Sequence, residues 1–217
     1  MVLNHMKRKR CFDCFMAVLG LAVSCPVLLL SLFAARLSTG KSGLFVQKRM
    51  GLGGRTFDLF KIRSMKDVVN IETTVTTAND PRITTLGWFL RKSKIDELPQ
   101  LWNVLLGDMS LVGPRPDVPE VIQTLTGEDK KVLSVRPGIT GPATLKYRDE
   151  EQILSLCSDP EKFNQDIIFP DKVTLNKGYV STWSFGKDVM YIWQTLTGGG
   201  LRATLESLKK EFANKVA

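Results

Sequence analysis

Three features of the chain predict an α+β fold, mostly helical, in which an N-terminal re-entrant hairpin helix dips into a membrane and carries a small cytosolic domain with interfacial amphipathic helices. The first is the apolar run CFDCFMAVLGLAVSCPVLLLSLFAA, Cys11–Ala35, long enough to cross a bilayer, which takes about 20 apolar residues. The second is a strand–turn–strand pattern between Leu44 and Met65. The third is a succession of short helical patterns from Gly87 onward, the last two amphipathic. These features divide the chain into a basic N-terminus and membrane segment (1–39), a globular domain (40–197) and an amphipathic tail (198–217).

The membrane segment admits three readings. A cleaved signal peptide fits poorly, because the apolar run exceeds an h-region of roughly 7–15 residues and no small-x-small site precedes Arg36. A single spanning helix conflicts with the charges. Lys7, Arg8, Lys9 and Arg10 precede the run, and Arg36, Lys41, Lys48 and Arg49 follow it, so the positive-inside rule draws both flanks to one face. A hairpin that enters and returns satisfies that rule. Pro26 sits near the middle of the run, where it removes a helical hydrogen bond and crowds the carbonyl of Ala22. Ser24, Cys25 and Pro26 are therefore the expected helix break, with the Ser24 hydroxyl available to a freed backbone group.

In the globular domain, LFVQKR and TFDLFKIRSM flank a glycine-rich turn at Gly51–Arg55 and read as a β-hairpin. GLGG lacks the GxGxxG spacing and following helix of a dinucleotide site. The threonine-rich stretch Asp67–Pro81 reads as a loop, and a helix covers Gly87–Ser93. Leu98, Leu101, Trp102, Leu105 and Leu106 follow helical spacing and predict a core-facing helix that stops at Gly107. SLVGPRP and SVRPGITGPATLKYR read as extended or turn segments, and helix returns at Glu150–Cys157 and Glu161–Ile168. Val189, Met190, Ile192, Trp193 and Leu196 mark one face of a further helix; Leu201, Leu205, Leu208, Phe212 and Val216 mark a face of the tail. Trp183 and Trp193 suit either membrane-interface anchoring or ordinary core packing.

Composition narrows the partners. The chain has 217 residues, enough for a core of ordinary size, and a net charge of +8. The excess calls for an anionic partner such as lipid or a phosphorylated small molecule. Aromatics are not interleaved with a basic run, so nucleic acid is not expected. Cys11 and Cys14 form a CxxC, but no second Cys or His pair follows and His5 is the sole histidine, so a zinc site lacks ligands. The four thiols fit a reducing compartment.

The chemistry concentrates in IDELPQLWNVLLGDMSLVGPRP, Ile95–Pro116. It opens on adjacent carboxylates, Asp96 and Glu97. Asp96 can be a cap for the following helix with Glu97 favourable to its dipole, or the two can form a nucleophile with an acid–base or metal-binding neighbour. Arg91, Arg115, Arg136 and Arg148 each stand beside a turn or a rigid segment. GPRP and RPG restrict the backbone around Arg115 and Arg136, and an arginine fixed in advance suits bidentate phosphate recognition. Singly, each is an ordinary surface ion-pair residue. Together with the carboxylate pair and a membrane anchor, they suggest a phosphate-rich substrate at a membrane.

Over roughly Lys7–Leu196, FDCFMAVLGLAVSCP, KIRSM, RKSKIDELPQLWNVLLGDMSLVGPRP and RPGITG resemble the bacterial sugar transferase family, in its small monotopic phosphoglycosyl transferase form. The resemblance implies transfer of a phosphosugar from a UDP-sugar to undecaprenyl phosphate, releasing UMP and starting lipid-linked glycan assembly (O-antigen, capsule or glycoprotein). It places residues 40–197 as the catalytic domain, on the cytoplasmic face of a bacterial inner membrane, with downstream glycosyltransferases as possible partners. Asp96 matches the nucleophile, which would form an aspartyl-phosphosugar intermediate. Glu97 matches the second member of the dyad, and both carboxylates match the site of a required Mg²⁺. Lys61, Arg91, Arg115, Arg148 and Arg136 are the basic residues expected near the phosphates.

Two departures stand out. Cys25 precedes Pro26 where the family commonly has serine, and PATLKYR follows RPGITG where many members have WAQVNGR. A non-catalytic membrane-anchored scaffold and a glycosyltransferase releasing UDP are the alternatives to phosphosugar transfer. No residue names the sugar.

Overall fold

The computed structural model describes residues 2–68, 73, 75–200, 203–204 and 207–208. Helix α1 (Val2–Thr39) leads into a hairpin of β1 (Leu44–Met50) and β2 (Thr56–Ile62). Then follow α2 (Thr85–Ser93), α3 (Gln100–Leu106), β3 (Ser110–Val112), α4 (Pro119–Ile122), β4 (Gly138–Thr140), α5 (Pro142–Lys146), α6 (Glu150–Ser155), α7 (Pro160–Phe163), α8 (Phe169–Ser181) and α9 (Phe185–Thr197). The β1–β2 pair is antiparallel and in register, with Lys61 opposite Phe45; β3 and β4 form a second, parallel pair.

The chain stays helical through Ser24, Cys25 and Pro26, so the expected helix–break–helix is a correction: α1 is one continuous helix. The Ser24 hydroxyl donates to the Gly20 carbonyl at 2.6 Å, within the turn that Pro26 weakens. One stripe of α1 faces the domain. Ala17 is fully buried against Phe57, Leu59, Val104 and Met109; Gly20 meets Leu101; and Ala35 packs with Ile62 and Leu90. Gly43 crosses α1 so closely that a Cβ there would stand 1.9 Å from the Leu32 carbonyl oxygen. The opposite stripe, including Phe15, Val23, Leu30, Phe33 and Leu37, is exposed.

The same inversion recurs in α3 and α9. In α3, Gln100 and Asn103 are buried while Trp102 and Leu106 are exposed, so the expectation of a simply core-facing apolar helix is half right. In α9, Asp188 is buried and Trp193 and Leu196 are exposed. Apolar side chains on the outside of three elements, over polar ones held inside, mark a surface matched to something other than water.

Two further segments depart from the sequence reading. PATLK is the helix α5 rather than extended, with Pro142 in its first turn where a missing N–H costs nothing. Helix α8, which follows a short π-helical segment at 164–168, carries no clean apolar period to announce it. Of the predicted tail helix, Ala203 and Leu208 pack against Tyr147, Ile153, Leu154 and Ile168; Leu201, Leu205, Phe212 and Val216 lie outside the described residues.

Candidate active site

The carboxylate pair sits in a turn built for it. Helix α2 ends at Lys94, whose left-handed φ of 59° turns the chain into a single 3₁₀ turn at Ile95–Glu97. Ile95 packs on the Ala35–Ile62–Leu90 cluster, and Pro99 starts α3. Across from this turn, Asn103 accepts from the Phe60 N–H at 3.1 Å and donates to the Asp58 carbonyl at 2.7 Å. Helix α3 is thereby tied to β2, which carries Lys61.

From the other side comes β3 and the turn that bears Arg115. Its backbone and that of the RPG segment are nearly in contact. A Cβ on Gly138 would lie 2.0 Å from the Gly113 nitrogen, and one on Gly141 would lie 2.5 Å from the Gly113 oxygen. No side chain fits there, which explains why both VGPRP and RPGITG carry glycine. The Gly138 N–H donates to the Pro114 carbonyl at 2.8 Å and locks the turn.

Asp96 and Glu97 are 4% and 8% exposed. Glu97 is matched by cations: Arg115 donates to its Oε1 at 2.6 Å and Lys61 stands 3.4 Å from the same atom. Burial alone would raise the Glu97 carboxyl, but Arg115, Lys61 and Lys94 outweigh it and hold the group far below the ordinary carboxylate range. Asp96 has no such match. Burial and the neighbouring Glu97 charge push its carboxyl up, and its Oδ1 is buried without a hydrogen-bond partner among the described residues. It does not cap α3, whose N-terminal position is Pro99 with no side-chain cap. The capping explanation of Asp96 is therefore excluded, and an unpaired buried carboxylate oxygen is a costly feature to keep without a use.

The surrounding cations divide in two. Lys61, Arg115 and Arg91 face the pair, Arg91 through its charge on Asp96 while it binds Glu151 and Ser64. Burial pulls the Lys61 ammonium down to about 8, with Glu97 opposing the shift, whereas the adjacent Glu97 charge holds the Arg115 guanidinium protonated above its usual range. Arg136 and Arg148 stand apart. Arg136 donates to the Gly107 carbonyl at 2.7 Å, closing the C-terminus of α3, and Arg148, just beyond α5, donates to the Thr195 carbonyl of α9 at 2.8 Å while its Nη1 is buried without a partner among the described residues.

Sequence reasoning missed Arg49 as a site residue, having counted it only as a flanking charge. It lies beside Arg115, its Nε is buried without a partner among the described residues, and burial followed by the Asp117 and Arg115 charges governs its ionisation, with a net downward pull. The available signal was its place in β1, two residues from Gln47, whose side chain it binds at 2.8 Å on the same face of the strand.

The fold and the site define a protein with one long apolar N-terminal helix, packed on a small domain that holds a buried carboxylate pair among cations. The chain belongs to the bacterial sugar transferase family, whose sequence model matches residues 4–199. It is 35% identical over 205 residues to the galactosyl transferase CpsE of Streptococcus agalactiae, covering 89% of this chain and 42% of that protein. A putative undecaprenyl-phosphate N-acetylgalactosaminyl 1-phosphate transferase of Bacillus subtilis is 41% identical over 126 residues, 58% of this chain and 70% of the relative. The UDP-glucose:undecaprenyl-phosphate glucose-1-phosphate transferase of Caulobacter vibrioides is 35% identical over 198 residues, 87% of this chain and 68% of the relative. The chain thus spans less than half the length of CpsE.

Proposed function

We propose that this chain is a phosphoglycosyl transferase that moves a sugar 1-phosphate from a UDP-sugar to undecaprenyl phosphate. The observation that carries the reading is the contrast within the dyad: Glu97 is charge-matched, while Asp96 keeps a buried oxygen with no partner among the described residues, beside a cation ring. Relatives named for transfer of glucose 1-phosphate and N-acetylgalactosamine 1-phosphate to undecaprenyl phosphate support the reaction class.

In this mechanism Lys61, Arg115 and Arg49 hold the donor's pyrophosphate and orient it. The Asp96 carboxylate attacks the β-phosphorus, and the bond to the bridging oxygen breaks with its electron pair leaving on UMP. An oxygen of the lipid phosphate then attacks the aspartyl-bound phosphorus, and the aspartyl–phosphorus bond breaks to return the carboxylate. A raised proton affinity makes Asp96 the stronger nucleophile of the two once it is ionised. Glu97, held by Arg115, keeps the cations in place. Two carboxylates with one oxygen unpaired, next to a site for phosphates, fit the one or two protein carboxylates that Mg²⁺ usually takes. Asp96 and Glu97 would hold the ion, which supplies charge neutralisation of the pyrophosphate.

The surface of α1 supports a placement in one leaflet at the cytoplasmic face of the inner membrane, with α1 lying along it as one continuous helix. Lys9 to Ala35 covers about 39 Å of helix at 1.5 Å per residue, and both of those residues pack on the same domain. A straight crossing would draw that domain into the hydrocarbon. A helix lying in one leaflet keeps both basic flanks on one side, and its exposed stripe joins Trp102 and Trp193 as the lipid-facing surface.

The test is the nucleotide released when the detergent-solubilised protein meets undecaprenyl phosphate, Mg²⁺ and a panel of UDP-sugars. UMP, lost in Asp96→Asn, is the expected result. Release of UDP instead, or UMP release undiminished in Asp96→Asn, would overturn the mechanism.

A further inference from the structure

Arg91 stands in the last turn of α2, close enough to the dyad for its charge to act on Asp96. Every nitrogen of its guanidinium is already bonded. Nε and Nη2 both donate to the Glu151 carboxylate in a two-pronged pair, and Nη1 donates to the Ser64 hydroxyl at 3.3 Å. A residue that the family resemblance places near the phosphates is thus held by a carboxylate of this chain. Arg115 is set in a similar way: Glu97 binds it, and Glu150 adds its charge. Each cation answers to one carboxylate of the dyad and one of the Glu150–Glu151 turn at the start of α6.

The two bonded pairs differ in exposure. The Glu97 side chain is 10% exposed and that of Glu151 is 37%. Breaking a buried pair strands a charge, whereas a partly exposed pair is worth little, because water competes for both partners. Arg115–Glu97 is therefore fixed, and Arg91–Glu151 is free to open for a stronger anion. A phosphate meets a guanidinium with the same two-pronged geometry as a carboxylate and carries more charge. The helix dipole accounts for an acidic residue in the first turn of α6. It does not account for a side chain that reaches across 60 residues of sequence to Arg91. We propose that Glu151 is a latch: it neutralises Arg91 while the site holds no phosphate, and gives it up to a phosphate of the donor. The proposal rests on the donor class proposed above. The backbone of Glu151 is fastened, since its carbonyl accepts from the Ala78 N–H at 3.0 Å, so the exchange is made by side chains.

Calorimetric titration of the detergent-solubilised, full-length protein with UDP tests the exchange without turnover. Glu151→Gln keeps the shape of the side chain and removes its charge. UDP should then bind up to about fivefold more tightly, the equivalent of about 1 kcal/mol. The same substitution made in an Arg91→Gln protein should lose that gain, because no cation is left to release. Arg91→Gln alone should weaken UDP. Equal tightening in both backgrounds would reduce the effect to net charge and overturn the latch. Unchanged or weaker UDP binding in Glu151→Gln would overturn it as well, the weaker case making Glu151 a support that aims Arg91. Wild-type protein that binds no UDP would remove the donor class itself, whereas UDP bound equally by wild type and Glu151→Gln removes the latch alone.

Discussion

Two clusters of buried charge lie within this small protein, and they are built on opposite terms. In one, Asp188 accepts from Lys9 at 2.6 Å, Tyr179 at 2.7 Å and Trp183 at 2.9 Å, which ties the start of α1 to α8 and α9. Close by, Asp13 accepts from the Ser110 hydroxyl at 2.7 Å and the Leu111 N–H, fastening α1 to β3. Asp188 there is met from three directions. In the other cluster, Glu97 is matched but Asp96 and Arg49 each keep a buried polar atom without a partner among the described residues. A carboxylate surrounded by donors holds elements together; one left short of donors is held ready for a ligand.

The largest expected effect comes from breaking the two clusters in parallel. Asp96→Asn removes the nucleophile and should lower turnover by at least about a thousandfold, in the range seen for loss of a covalent catalyst. Its melting temperature should hold or rise, since a neutral amide relieves repulsion with Glu97 and the cost of an unpaired buried charge. Asp188→Asn should do the reverse. It removes the direct partner of Lys9 and leaves only the nearby Asp13 charge to offset it, a loss of up to about 3–5 kcal/mol, while the protein that remains folded should turn over normally. Thermal denaturation and activity per folded molecule, measured on both variants, decide the matter. A melting temperature that falls further in Asp96→Asn than in Asp188→Asn would reverse the assignment.

A second comparison sharpens the first. Lys9→Met combined with Asp188→Asn removes both charges of the pair and leaves Asp13 held by its bonds from Ser110 and Leu111. The double variant should recover part of what the single Asp188→Asn loses, by about 1–3 kcal/mol in a double-mutant cycle. Strict additivity would mean that the pair is not coupled and that α1 is held by its apolar stripe alone.

How much of this was legible in the sequence depends on whether the signal is local. The β-hairpin was, because alternation and a glycine turn are encoded within a few residues of each other, and the Gly107 stop of α3 was for the same reason. The carboxylate pair announced itself by adjacency. What the sequence concealed is which cation meets which carboxylate. Arg136 and Arg115 sit in nearly identical proline-flanked settings, yet one closes α3 and the other binds Glu97. That difference arises from the β3–β4 pairing, a contact between distant segments. Helix α8 was hidden for a different reason: it buries Asp171, Asn176 and Tyr179 along with Val173, so its inward face has no apolar period to read. Trp102 and Leu106 matched helical spacing but point outward, because a periodic pattern shows that a face is apolar and not which medium it meets.

The alkaline limb of the pH profile probes the matched half of the site. Burial brings Lys61 down to about 8, so the ammonium is charged below that pH and is lost as the pH rises through it. A residue that holds pyrophosphate must be charged, and donor kcat/KM should therefore fall above about pH 8. Lys61→Arg keeps its charge at every accessible pH. Whatever activity it retains should show that limb moved upward by more than one pH unit. An unmoved limb would assign the titration to another group. The acid limb belongs to Asp96, whose raised proton affinity should place it above an ordinary aspartate, with activity lost as the pH falls through it.

The smallest effect is expected from the arginine that resembles a site residue and is not placed as one. Arg136 makes a single described bond from its Nε to the Gly107 carbonyl, at the end of α3 where orphan carbonyls need donors. Lysine keeps the charge but has no Nε at that reach. Arg136→Lys should cost about 1 kcal/mol, the net worth of one hydrogen bond, and shift the melting temperature by about 2–4 °C for a chain of this size. Steady-state turnover at a saturating donor concentration should be unchanged, because the residue acts on α3 and not on the phosphates. If instead turnover falls while the melting temperature stays put, Arg136 meets the substrate, and the division between structural and functional cations would have to be redrawn around it.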